Sequence, residues 1–191
     1  MATARRMGDP ESATAQSILD GAERVLQSRG YGAITARSVG EEAGVKHQLV
    51  YYYFNDIDDL LLAAFKRRMD RGIERLRQDA QSPRPIRAIW EDFTNAIDAW
   101  LDFEYMALAN HHDGVRREIV RFQTEARAIQ IAIIKRAYAE KGLVSEPMAP
   151  DALAFLITYT SMAMVREEGT GFTVGHQAIR DMIESFLLKL E

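Results

Sequence analysis

The sequence predicts an all-α fold of about nine helices, and three observations predict it. Apolar residues recur at the three- and four-residue spacing of a helix face along most of the chain. Glycine and proline fall between those runs, at Gly30, Gly44, Pro83, Pro85, Gly142, Pro147, Pro150, Gly169 and Gly175. The stretch from Thr35 to Phe54 reads as two short helices meeting at Gly44, which divides a small N-terminal helical domain from a longer helical body.

Residues 1–11 read as an arm of small residues with Gly8 and Pro10. Its Arg5 and Arg6 either reach phosphates or stay solvated. A first helix is expected over Ser12–Arg29, burying Ile18, Ala22, Val25 and Leu26, with Gly30 at its C-terminal cap. Thr35 is an N-cap residue whose hydroxyl can take free backbone N–H groups of the next turn. The helix it opens ends at Ala43. Gly44 and Val45 turn the chain, because a positive φ costs glycine least. The second short helix runs from Lys46 to Phe54 with Val50 and Phe54 facing inward. Tyr51, Tyr52 and Tyr53 are consecutive, so on a helix they point about 100° apart and cannot all be core. Lys46, His47, Gln48, Leu49, Tyr51 and Tyr52 are left outside. Their hydrogen-bonding and flat aromatic ends suit base edges and phosphates in a DNA groove.

From Asp58 to Ala80 a longer helix carries Leu60, Leu61, Ala64, Phe65, Met69, Ile73 and Leu76 on one side and several arginines on the other. Asp70, Glu74 and Asp79 can partner that basic face. Gln81–Pro85 is a break, since two prolines cannot continue the helix. One stripe is expected over Ile86–Leu101, then a short segment from Glu104 to His112, then a long helix over Val115–Lys141. Asp151 is expected to cap a helix reaching Glu168, and His176–Leu190 forms the last one.

Composition limits the function classes. The chain has 191 residues, 47% of them hydrophobic, and no cysteine, which removes disulfides, thiol nucleophiles and cysteine metal sites. No apolar run approaches the length that spans a bilayer, and the N-terminus lacks the apolar core of a signal peptide, so a soluble cytoplasmic protein with no membrane partner is expected. The net charge of −4 argues against a general nucleic-acid coat. Within residues 1–54, Arg5, Arg6, Arg24, Arg29, Arg37 and Lys46 balance Asp9, Glu11, Asp20, Glu23, Glu41 and Glu42. Attraction to phosphate must then come from how these charges are segregated.

The string T-A-R-S-V-x-x-x-A-G-V-x-x-x-x-V-Y-x-Y-F from Thr35 to Phe54, followed by Asp58, Asp59 and Leu60, resembles the DNA-binding region of the tetracycline-repressor (TetR) family. The resemblance covers roughly residues 12–65. It implies a helix-turn-helix DNA-binding domain over 1–57, a helical ligand-binding and dimerisation domain over 58–191, and a homodimer that reads a palindromic operator. It also implies a repressor released by a small lipophilic ligand. Two positions depart from the family pattern. Lys46 replaces a small capping residue. Ile57, after Asp56, stands where many members have a phosphate-binding lysine, so Lys46, the arm or the fourth helix must replace that contact.

The expected DNA contacts are Thr35, Arg37, Lys46, His47, Gln48, Leu49, Tyr51, Tyr52 and Tyr53. Arg37 can fork onto guanine O6 and N7, Leu49 can touch a thymine methyl, and Tyr53 either bonds phosphate or packs on the fourth helix. Trp90, Phe93, Ile97, Trp100, Phe122, Tyr159 and Met162 either fill ordinary core or line the inducer cavity that the resemblance implies. Ile179, Met182, Ile183, Phe186 and Leu187 pack within the chain or, as the resemblance implies, pair with a second subunit. His111, His112 and Asp113 do not make a metal site, because adjacent histidines on a helix diverge and nothing nearby completes a ligand set. No cofactor and no catalytic constellation is read, so the chain is not expected to be an enzyme. The alternative is a helical small-molecule binding protein with a vestigial DNA-binding motif.

Overall fold

The computed structural model describes residues 8–94, 99–142 and 148–190, with side chains from Leu101 onward in the second stretch. The arm arginines Arg5 and Arg6 and the candidate Ile97 lie outside the described residues, as does the side chain of Trp100. Among the described residues the regular structure is helical throughout: α1 (Ala13–Arg29), a single 3-10 turn at Tyr31–Ala33, α2 (Ala36–Ala43), α3 (His47–Tyr53), α4 (Ile57–Asp79), α5 (Pro85–Thr94), α6 (Ala99–Ala109), α7 (Asp113–Glu140), α8 (Pro150–Gly169) and α9 (His176–Leu190).

The helix ends follow local chemistry. Ser12 accepts the Ala15 N–H at 3.3 Å and starts α1. Thr35 and Ser38 form a reciprocal capping box at α2, each side chain taking the other's backbone N–H at 3.0 Å. Gly44 ends α2 at φ 69°, in the left-handed region. His112 Nδ1 accepts the Val115 N–H at 3.1 Å, so this histidine caps α7.

Two boundaries differ from the sequence expectation. The stripe expected over Ile86–Leu101 divides between α5 and α6, and α6 continues through Glu104 to Ala109. Leu101, Tyr105 and Leu108, buried at helical spacing, carry it onward. The cap of α8 is Ala149, not Asp151. Pro150 occupies the first helical position, where its missing N–H costs nothing, and Asp151 falls in the first turn.

The chain divides into two compact units, Met1–Asp70 with Leu101–Ile119, and Arg71–Trp100 with Val120–Glu191. In the first, α1 buries Ala15, Ile18, Leu19, Ala22, Val25 and Leu26, and α4 buries Leu60, Leu61, Ala64 and Phe65. The Phe65 and Tyr105 rings lie 4.6 Å apart. A polar tie crosses this unit. Arg67 on α4 donates from Nη1 to the Gln16 carbonyl at 3.2 Å and to Gln16 Oε1 at 2.9 Å. Its Nη2 donates to Asp20 at 2.6 Å and Glu23 at 2.9 Å. The next residue, Arg68, donates to Asp102 of α6 at 2.8 Å. Consecutive arginines on one helix thus hold two different helices.

In the second unit Ile73, Leu76, Ile86, Ile89, Trp90, Ile133, Ile134, Tyr138, Leu153, Ile157, Met164, Leu187 and Leu190 form one apolar core. Arg87 of α5 forks onto Glu184 of α9 at 2.7 and 2.9 Å and holds its carboxyl below the usual carboxylate range. Tyr138 donates to the Met148 carbonyl at 3.1 Å, fixing the approach to α8. His176, buried at the start of α9, faces two carboxylates at the end of α8. Its Nε2 lies 2.8 Å from Glu167 and its Nδ1 3.3 Å from Glu168. Both ring nitrogens donate only in the imidazolium form. The hydrogen bond with Glu167, and less strongly that with Glu168, raises the imidazole above its ordinary value of 6.5 against the opposing effect of burial.

Two outcomes follow. Arg67→Ala removes the donor shared by Gln16, Asp20 and Glu23 and should cost roughly 1–3 kcal/mol in urea unfolding, with Arg67→Lys restoring only part because an ammonium cannot fork. His176 adds stability that is complete below its ordinary value and is lost as pH rises through its raised value in the fold. Melting temperature should therefore fall on the alkaline side of about pH 6.5, and His176→Gln should flatten that slope in a melt-versus-pH series.

Candidate DNA interface

The turn at Gly44 and Val45 joins α2 to α3, and α3 sorts its residues by face. Val50 and the C-cap Phe54 are 0% and 1% exposed, which anchors one side of α3 in the first unit's core. Lys46, His47, Gln48, Leu49, Tyr51 and Tyr52 are exposed, and Tyr53 is half-buried. All six expected on the outside are there. Arg37 stands on the exposed face of α2 with 85% of its side chain accessible. Thr35 is exposed too, but its hydroxyl is held in the capping box.

The tyrosines are braced rather than loose. Tyr52 and Tyr53 meet edge to face at 5.1 Å. Gly8 donates its N–H to the Tyr52 carbonyl at 3.3 Å, and its backbone lies against both rings. A Cβ at Gly8 would come within 2.4 Å of the Tyr53 ring and 2.8 Å of the Tyr52 ring. Sequence reasoning treated Gly8 as part of a plain arm and missed this seat; its one signal was a glycine where no turn or cap required one.

The electrostatics refine the neutral balance of residues 1–54. Glu42 takes both Arg24 at 2.9 Å and Arg29 at 3.3 Å, which ties α1 to α2. Arg37 pairs with Glu41 at 3.0 Å. Among the described residues of 8–54, Lys46 is the cation outside any ion pair. The start of α4 is acidic and internally capped. Asp56 Oδ1 accepts the Asp59 N–H at 2.7 Å, and Asp59 Oδ2 accepts from the Asn55 backbone and side chain at 3.0 Å. A helix N-terminus filled by its own carboxylates does not attract phosphate.

The structure divides the residues offered for a ligand cavity. Trp90 is buried in the second unit's core, with Phe93 and Phe122 packed against it. Met162 is half-buried. Tyr159 is 40% exposed on α8, stacked on Phe155 at 4.4 Å beneath the Arg127 guanidinium. Of the α9 stripe, Leu187 is 1% exposed in the chain's own core, and Ile179, Ile183 and Phe186 pack against it. Met182 is 59% exposed. Phe155, Leu156 and Leu188 add exposed apolar surface on α8 and α9.

The sequence model for bacterial regulatory proteins of the TetR family matches residues 18–64. The fatty acid metabolism regulator protein of Bacillus subtilis is 34% identical over 62 residues, 32% of each chain, so the match spans about a third of that relative's length. The crystal structure of FadR from Bacillus subtilis in complex with stearoyl-CoA is similar at TM-score 0.58 and 20% identity, over 81% of this chain and 89% of that one. A TetR transcription regulator from Haloarcula marismortui is similar at TM-score 0.74 and 17% identity, over 91% and 96% of the two chains.

The seat of Gly8 gives a test. Gly8→Ala displaces Tyr52 and Tyr53 and should weaken duplex binding several-fold while leaving the thermal melt nearly unchanged. Unaltered affinity in a fluorescence-anisotropy titration would count against the bracing role.

Proposed function

We propose that this chain, whose residues 18–64 match the model of the TetR family of bacterial regulatory proteins, is a DNA-binding transcriptional regulator of that kind. It acts as a cytoplasmic homodimeric repressor, not an enzyme, and leaves a palindromic operator when a small lipophilic ligand binds. The observation that carries the reading is the one-sided exposure of α3, anchored by Val50 and Phe54 while His47, Gln48, Tyr51 and Tyr52 stay accessible. The reading function falls to residues 1–57 and the ligand-binding and dimerisation function to 58–191, although residues 58–70 and 101–119 belong to the same compact unit as the reading helices. The α3 face enters a major groove with Arg37, His47 and Gln48 toward base edges. Lys46, Tyr51, Tyr52 and Tyr53 hold sugar and phosphate.

Dimerisation supplies what one neutral head lacks. The exposed Phe155, Leu156, Tyr159, Met182 and Leu188 on α8 and α9 support burial against a second copy. Leu187 is already committed to the chain's own core and serves the interface only from behind. A fatty acyl thioester is the ligand class to try first, because a related FadR was crystallised with stearoyl-CoA and because the second unit's core is rich in apolar and aromatic side chains. The ligand favours a spacing of the two heads that no longer matches successive major grooves, and α4, which contributes to both units, transmits the change.

Footprinting on the DNA flanking the chain's own gene tests the reading. A palindromic footprint is expected, released by stearoyl-CoA. Arg37→Ala should cost roughly 1–3 kcal/mol on that operator and relax specificity at one position. Equal affinity for operator and scrambled duplex would refute DNA reading, and an operator complex indifferent to every acyl-CoA would refute the ligand class.

A further inference from the structure

Glu41 carries no assigned role, yet it is placed to decide how Arg37 is used. The two residues are one helical turn apart on the exposed face of α2. Arg37 Nε–H donates to Glu41 Oε1 at 3.0 Å. Among the described residues the two terminal nitrogens of Arg37 have no other partner, and its side chain is 85% accessible. A guanidinium held at Nε presents its remaining edge as a fork, the pattern that matches guanine O6 and N7. The neighbouring Glu42 does a different job, since it is spent on Arg24 and Arg29.

Resting on the DNA-reading function proposed above, we infer that Glu41 is a positioning residue that sets sequence specificity through Arg37. It acts in two ways. Its bond at Nε points the fork of Arg37 outward instead of leaving a long side chain to sample many rotamers. Its negative charge beside that fork disfavours capture of Arg37 by a phosphate, which any sequence offers, and leaves a base edge as the better partner. A surface ion pair of this kind adds little to folding, so its value lies in what it withholds from non-specific DNA.

Competitive binding of the full-length protein to its footprinted operator and to a scrambled duplex tests this at two salt concentrations. Glu41→Ala should lower the operator-to-scrambled affinity ratio by roughly tenfold, mostly by raising affinity for the scrambled duplex. Helicity and melting temperature should match the wild type. Glu41→Gln keeps an acceptor for Nε–H and should retain more of the ratio than alanine does. In an Arg37→Ala background, Glu41→Ala should leave the ratio where Arg37→Ala alone puts it. Equal tightening on both duplexes, an alanine-like glutamine variant, or the same ratio change without Arg37 would each overturn the inference and leave simple charge removal. A wild-type protein that does not discriminate the two duplexes would instead overturn DNA reading itself, and is read before any variant.

Discussion

Arg67 sits with 17% of its side chain exposed among Gln16, Asp20 and Glu23, and the first unit depends on that arrangement. Contacts among leucine, isoleucine and alanine side chains are non-directional and by themselves impose little angular preference between helices. A planar cation with two forks does impose one. It reaches a backbone carbonyl, an amide oxygen and two carboxylates, all on α1, and so fixes the rotation of α4 against that helix. Arg68 applies the same logic to α6 through Asp102. Among the described residues the buried Tyr105 hydroxyl has no partner, and burial, followed by Glu23, pushes its phenol far above its usual range.

The reading face stands on this frame, and its character is geometric. Most cations near it are already matched by carboxylates, and the acidic start of α4 is closed to phosphate by Asp56 and Asp59. A head of this kind has little attraction for DNA at a distance. On the function proposed above, its discrimination rests on close fit at His47, Gln48 and the braced tyrosines more than on counterion release. Among the described residues of 8–54, Lys46 at the entrance of α3 remains as the unmatched cation, which makes the departure from a small capping residue there a gain in charge as well as a loss of a cap.

Much of this was legible in the sequence because it is local. Thr35 at an N-cap, Gly44 at a left-handed turn and the inward pair Val50 and Phe54 each follow from residue type and spacing. Long-range matters were not legible. No periodicity states that Arg67 reaches back to Gln16, or that Gly8 lies flat on Tyr53. The α9 stripe shows the same limit. Spacing placed Leu187 and Met182 together, whereas packing buries one and exposes the other. On α8, small and large apolar residues surround the helix, so its sequence hid the exposed Phe155 and Leu156. The continuation of α6 past Phe103 was missed because its buried positions belong to a different stripe from that of α5.

The partition of the chain into compact units has a consequence for modularity. The boundaries fall after Asp70, Trp100 and Ile119, inside α4, α6 and α7 rather than in loops. The unit that holds α2 and α3 is completed by residues 101–119, which return to it after the chain has left. A fragment ending at the Gln81–Pro85 break would lack Tyr105 and the Asp102 partner of Arg68. Recombination that grafts a new sensor onto this reader by a single crossover near residue 57 or 80 would therefore exchange part of the reader's own interior. On the proposed function, a change of ligand specificity is then reached more simply by substitution within the second unit than by exchange of whole segments.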